Sequence, residues 1–140
     1  MLTILYADDE QEHRLMMQVI LKNQKIELLE AANGEEAIQT IKHQQPNLVL
    51  LDLFMPRIDG FGVLQAAKSD PNTRHIPIII LSAWPTGDNR ERAKNFGAAD
   101  FIAKPYDPIR LVKLVKEYLD LQSKQDLPRV RKVDTTPLSL

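Results

Sequence analysis

Leu48-Val49-Leu50-Leu51-Asp52 is the stretch that decides the reading: four consecutive apolar residues end on a carboxylate. A short continuous apolar run fits a strand buried on both faces, as in a parallel sheet covered by helices. Three other runs end in the same way. Ile4-Leu5-Tyr6-Ala7 leads into Asp8-Asp9, Ile78-Ile79-Ile80-Leu81 into Ser82, and Phe101-Ile102-Ala103 into Lys104-Pro105. If these strands lie parallel in one sheet, the polar groups just past them converge on one edge. Open α/β sheets bind ligands there, outside the carboxyl ends of the strands. Three carboxylates, one hydroxyl and one ammonium suit a divalent cation and a phosphoryl group.

Helix-like segments separate the strands. Glu10 to Asn23 carries Leu15, Met16, Val19 and Ile20 at helical spacing, which predicts these as its inward face. Ile26 to Ala31 is a weaker strand. Asn33-Gly34-Glu35-Glu36 resembles a capping box and opens a helix with Ala37, Ile38 and Ile41 inward. Phe61 to Ser69 is predicted helical with Val63, Leu64 and Ala67 inward, and Asn89 to Phe96 helical with Gly97 as its C-terminal cap. Asp107-Pro108 supplies a cap and a first-turn proline for a last helix to about Leu121. Five such units give an α/β fold, a (βα)₅ doubly wound five-stranded parallel sheet with helices on both faces. No internal repeat is evident. Residues 122–140 are polar with Pro128 and Pro137, which reads as a flexible tail after a domain spanning 1–121.

The chain has 140 residues, enough for one domain with a real core, and ordinary fractions of hydrophobic (44%) and charged (26%) residues. A formal net charge of −1 gives no bulk attraction to nucleic acid or to a membrane surface, and neither is expected as a direct partner. The absence of cysteine excludes disulfides and thiolate chemistry and fits a reducing cytoplasm, the expected location. No apolar run approaches the roughly 20 residues that span a bilayer.

Each site residue has an ordinary structural explanation when taken singly. Asp8-Asp9 could cap a helix and furnish its first-turn acid, Ser82 could be a cap, and Lys104 a solvated side chain. Asp52 fits this less well, because Leu53-Phe54-Met55-Pro56 after it is too apolar for an ordinary surface turn. Joint placement carries the case. Asp8, Asp9 and Asp52 balance Mg²⁺ plus the Lys104 ammonium, and carboxylates are known to act as nucleophiles that form aspartyl phosphates. Ser82 can bond a phosphoryl oxygen and move when one arrives.

Together, Asp8-Asp9, Asp52-Leu53-Phe54-Met55-Pro56, Asp59-Gly60, Ser82-Ala83 and Lys104-Pro105 resemble the receiver (CheY-like) domain of two-component response regulators, over about residues 2–121. The resemblance implies strand order 2-1-3-4-5 and Asp52 as phosphoacceptor. It implies Mg²⁺ held by Asp9, Asp52 and the Phe54 carbonyl, with Asp8 acting through water. Lys104 becomes the phosphate-binding lysine, with its bond to Pro105 cis. Ser82 takes the switch hydroxyl position and Phe101 the switch aromatic position. The implied function is a single-domain response regulator, or a piece of a longer one. It takes a phosphoryl group from a phosphohistidine on a sensor kinase or phosphotransfer protein and signals by protein contact. It is not an enzyme beyond its own phosphorylation and dephosphorylation. Phe54 and Trp84 flank the path of the hydrolytic water in this family, and neither can orient water, so slow self-dephosphorylation is expected. The last helix, with Leu111, Leu114, Val115 and Tyr118 predicted inward, also carries Val112, Leu119 and Leu121, more apolar surface than one stripe requires. That surplus suggests either a wide contact with the sheet or a partner or homodimer face.

Three rival readings fit the residues less well. An aspartate-nucleophile phosphatase similar to the haloacid dehalogenase group would place an Asp two residues after the nucleophile, where Phe54 stands. Flavodoxin-like FMN binding lacks a phosphate loop after the first strand, where Asp8-Asp9 would repel phosphate. A phosphorylation-independent scaffold would not need so complete an acceptor site.

Overall fold

The computed structural model describes residues 2–126. Five strands and five helices alternate: β1 (Leu2–Ala7), α1 (Gln11–Leu21), β2 (Ile26–Ala31), α2 (Gly34–Gln44), β3 (Leu48–Asp52), α3 (Gly60–Ser69), β4 (Ile78–Ser82), α4 (Gly87–Asn95), β5 (Asp100–Ala103) and α5 (Pro108–Asp126). The strands form one sheet in the order β2-β1-β3-β4-β5, and every pairing is parallel. The expected architecture and strand order are the observed ones.

β3 is central, and all five of its residues are buried. Its alternation divides the core in two. Val49 and Leu51 join Leu5, Ile78 and Ile80 beneath α2, α3 and α4, while Leu48 and Leu50 join Ile4, Ile79 and Leu81 beneath α1 and α5. Two covered faces explain why these strands read as unbroken apolar runs rather than as alternating ones.

The helix ends follow local chemistry. The Asn33 side chain accepts from the Glu36 N–H at 2.9 Å, while the Glu36 carboxylate reaches back to the Ala32 N–H at 2.9 Å. α4 starts two residues before the expected Asn89, because the Thr86 hydroxyl caps it by accepting from the Asn89 N–H. Gly97 follows α4 with φ of 100°, a left-handed conformation that glycine adopts without a Cβ penalty. The last helix continues past the expected end at Leu121 to Asp126. The rest of the proposed tail, 127–140, lies outside the described residues.

Two expectations about helix faces are corrected. In α1 the buried residues are Met17 and Leu21, whereas Leu15 (50%), Met16 (59%) and Val19 (69%) are exposed. Leu15 to Leu21 is apolar at every position but Gln18, so its pattern contains more than one possible stripe and the sheet selects among them. The selected face also carries His13 and Arg14 toward the strand ends. In α5 the buried stripe is Leu111, Val115 and Leu119 at i, i+4 spacing, with Leu114 and Tyr118 only partly covered. Leu119 therefore belongs to the core rather than to a partner surface.

Candidate functional site

The parallel register brings four strand ends to one edge. Asp8 directly follows β1 and its N–H bonds the Ala31 carbonyl at 3.0 Å. Asp52 is the last residue of β3, opposite Leu81, and Ser82 is the last of β4, opposite Ala103. Lys104 directly follows β5, held by its N–H on the Ser82 carbonyl at 2.8 Å, and the Lys104–Pro105 bond is cis. The loop after Asp52 folds back tightly. The Gly60 N–H bonds the Leu53 carbonyl at 2.7 Å, and a Cβ at Gly60 would lie 2.7 Å from the Asp52 carbonyl oxygen, so a side chain there would push the loop off the strand end.

Carboxylate oxygens of Asp8, Asp9 and Asp52 all lie within 4.8 Å of one another. Asp8 is fully buried, Asp52 is buried and Asp9 is exposed. The Lys104 ammonium lies 2.9 Å from Asp8 Oδ2 and 3.6 Å from Asp52 Oδ1. The residues singled out at three of the strand ends thus form one cluster, and Ser82 ends β4, the strand between β3 and β5. Ser82 is fully buried, and its Oγ accepts from the Trp84 N–H at 3.0 Å, which leaves the hydroxyl proton available as a donor. Phe54 and Trp84 are exposed around the cluster, by 46% and 63%. Phe101 lies in the middle of β5 opposite Ile80, partly buried, with the Arg90 guanidinium 4.9 Å from its ring centre.

Electrostatics separate the two buried aspartates. Burial acts to raise the Asp8 pKa, but hydrogen bonds from the Tyr6 hydroxyl, the Glu10 N–H and Lys104 outweigh it and hold the carboxyl below its usual range. Burial pushes Asp52 up to about 6, helped by the charges of Asp8 and Asp9 and opposed by Lys104. Asp8 is the fixed anion of the pair. Asp52 pays for its charge and gains from any cation that arrives.

Three site neighbours were not anticipated from the sequence. The Tyr6 hydroxyl donates to Asp8 Oδ2 at 2.6 Å, and burial together with that anion raises the phenol's pKa. His13 Nδ1 lies 3.0 Å from the same oxygen, and Arg14 Nη1 donates to the Asp8 carbonyl at 2.7 Å. Tyr6 was readable only as one more apolar strand residue. Its i, i+2 relation to Asp8, which places both on one face of an extended chain, was the signal available.

The response regulator receiver domain model matches residues 4–116. The phosphate regulon transcriptional regulatory protein PhoB of Pseudomonas aeruginosa is 39% identical over 84% of this chain, which spans about half (51%) of that regulator's length. An uncharacterised 14.6 kDa protein from the sodA1 3′ region of Leptolyngbya boryana is 30% identical, covering 82% of this chain and 88% of that protein. A crystal structure of a response regulator from Chloroflexus aurantiacus superposes with a TM-score of 0.79 at 33% identity, covering 84% of this chain and 97% of that one. A clustered set of aspartates, a serine and a lysine at the carboxyl edge of a 2-1-3-4-5 sheet, together with these matches, places the chain in the response regulator receiver domain family.

Proposed function

We propose that Asp52 is the phosphoacceptor of this receiver and that its phosphodonor is a phosphohistidine on a sensor kinase or a phosphotransfer protein. The observation that carries the reading is the position of Lys104. Its ammonium spans Asp8 and Asp52, where it can hold a phosphoryl oxygen once Asp52 is modified. An Asp52 carboxylate oxygen bonds to phosphorus while the phosphorus–nitrogen bond of the donor breaks. The electron pair returns to the donor imidazole, and Asp52 becomes an acyl phosphate. Ser82, whose proton is available, donates to a phosphoryl oxygen.

The donor set fits Mg²⁺, a hard cation that takes oxygen ligands and few protein carboxylates. Asp9, Asp52 and the Phe54 backbone carbonyl are the proposed ligands, with Asp8 acting through water. The ion supplies charge that offsets the repulsion between the Asp52 carboxylate and an incoming phosphoryl group. The same logic makes the raised Asp52 pKa useful, since an anion poorly stabilised by its surroundings gains most from cation and phosphoryl capture.

Output by protein contact is proposed at the face formed by α4, β5 and α5. An open groove of about 760 Å³ lies there beside Phe101 and Leu114. Arg90, Arg110 and Lys113 line it together with Asp100, Asp107 and Glu117. Equal numbers of opposite charges suit a second copy related by a two-fold axis, because a self-complementary patch pairs plus with minus on both sides. Movement of Ser82 toward the phosphoryl group would change the space beneath Phe101 and couple the site to this face by population shift. Among the described residues no helix is long and apolar enough to cross a membrane.

Phosphotransfer profiling tests the donor. Label should move from at least one autophosphorylated histidine kinase of the source organism to the wild-type chain, and not to Asp52→Asn. Transfer to both proteins alike would remove Asp52 from the acceptor role.

A further inference from the structure

Asp8 is saturated. A carboxylate offers about four lone-pair positions. Here Oδ1 accepts from the Glu10 N–H at 2.9 Å, and Oδ2 has the Tyr6 hydroxyl at 2.6 Å, Lys104 Nζ at 2.9 Å and His13 Nδ1 at 3.0 Å. His13 also touches the other member of the Asp8–Lys104 pair, with Nδ1 3.3 Å from Lys104 Nζ. An imidazole nitrogen that reaches both ends of an ion pair fixes one end in either neutral tautomer. It accepts from the ammonium in one and donates to the carboxylate in the other. Glu10 Oε2 comes within 3.5 Å of the same nitrogen, but the ammonium already stands there, so the trio of Asp8, Glu10 and His13 is not free to close on a metal ion.

We infer that His13 is a positioning residue for Lys104, a role that rests on the phosphoacceptor reading of Asp52. Lys104 has a long, flexible stem and three N–H donors. One donates to Asp8, a second meets His13 Nδ1 in the tautomer that leaves this nitrogen unprotonated, and Asp52 Oδ1 lies 3.6 Å from the same ammonium. Held this way, the lysine does not have to be ordered when a phosphoryl group arrives. The geometry is supplied by α1, which turns His13 and Arg14 toward the edge of the sheet while its Met17 and Leu21 pack beneath. His13 is part-exposed, with 40% of its side chain accessible, so it contributes little to the core and can be replaced without opening a cavity.

The experiment is a beryllofluoride titration in saturating Mg²⁺, followed by the fluorescence of Trp84, the chain's one tryptophan, whose backbone N–H donates to Ser82 Oγ. His13→Leu keeps bulk and removes the polar atom. His13→Asn restores an amide oxygen or nitrogen at about the place of Nδ1. One hydrogen bond to a charged group is worth on the order of a tenfold change in an equilibrium constant, so His13→Leu should weaken beryllofluoride binding by about that factor. His13→Asn should recover most of the loss. Mg²⁺ affinity, titrated in the same way without the mimic, should be unchanged or tighter in His13→Leu, because freeing Asp8 of one contact does not weaken an oxygen ligand set. A merely structural defect would weaken both. Equal beryllofluoride affinity in all three proteins, or no recovery by Asn, overturns the positioning role while leaving Asp52 in place. A wild-type chain blind to beryllofluoride, and not phosphorylated on Asp52, overturns both readings.

Discussion

Replacing Asp52 by Asn should stabilise the metal-free protein, and the gain should depend on pH. In the folded chain Asp52 holds a proton up to about pH 6, and in the unfolded chain only up to its ordinary value of 3.8. Between those values the folded state binds more protons. Its contribution to stability is therefore fully present below about pH 4 and is lost as pH rises through about 6. A shift of about two units corresponds to about 3 kcal/mol between the protonated and ionised forms. Asn approximates the neutral form at every pH. At pH 8 in EDTA, urea unfolding should show Asp52→Asn more stable than wild type by about 2–3 kcal/mol, and at pH 4 the two should nearly coincide. A chain of this size should show the pH 8 difference as a rise in Tm of about 5–10 °C. Mg²⁺ should narrow the gap at pH 8 by stabilising the wild type more than the variant, since the variant lacks one anionic ligand. An Asn variant no more stable than wild type at pH 8, or one equally stabilised at pH 4 and pH 8, would refute the claim that Asp52 is held as a costly anion.

Three further outcomes are expected. Tyr6→Phe removes a buried hydrogen bond to a charged group and should lower stability by about 1.5–3 kcal/mol in urea unfolding, with Asp52 still phosphorylated. Phe54→Asn combined with Trp84→Glu puts polar groups beside Asp52 and Ser82 and should speed loss of the phosphoryl group by about tenfold, a change of about 1.4 kcal/mol in barrier; equal decay by intact mass would show that these bulky residues do not limit water. Beryllofluoride with Mg²⁺ should promote self-association in sedimentation, and Arg110→Glu on the groove rim should reduce it without affecting phosphorylation; a monomer in both states would leave the groove to a different partner or to none.

The fold was legible because its strands are covered on both sides. β1, β3 and β4 are apolar at nearly every position; β3 and β4 end on a polar residue, and β1 is followed directly by one. The alignment of Asp8, Asp52, Ser82 and Lys104 at one edge then followed from parallel pairing alone. What the residues did not reveal is rotational. α1 is apolar on more than one side, so its periodicity could not say that Met17 and Leu21 face the sheet and Leu15, Met16 and Val19 do not. In α5 the same ambiguity put Leu119 on the wrong side. The second layer of the site was hidden for that reason: only the rotation of α1 that buries Met17 brings His13 and Arg14 against Asp8. Tyr6 was concealed by its class, since a tyrosine within an apolar strand reads as core until the carboxylate two residues on is seen to accept its proton.

Intact-mass measurement after exposure to a small phosphodonor with Mg²⁺ tests the central claim most directly. Wild type should gain the mass of one phosphoryl group, the gain should require Mg²⁺, and Asp52→Asn should gain none because an amide cannot act as the nucleophile. Undiminished labelling of Asp52→Asn, at this position or elsewhere, or a wild-type chain that stays unlabelled with donor and Mg²⁺ both present, would contradict the assignment of Asp52 as the phosphoacceptor.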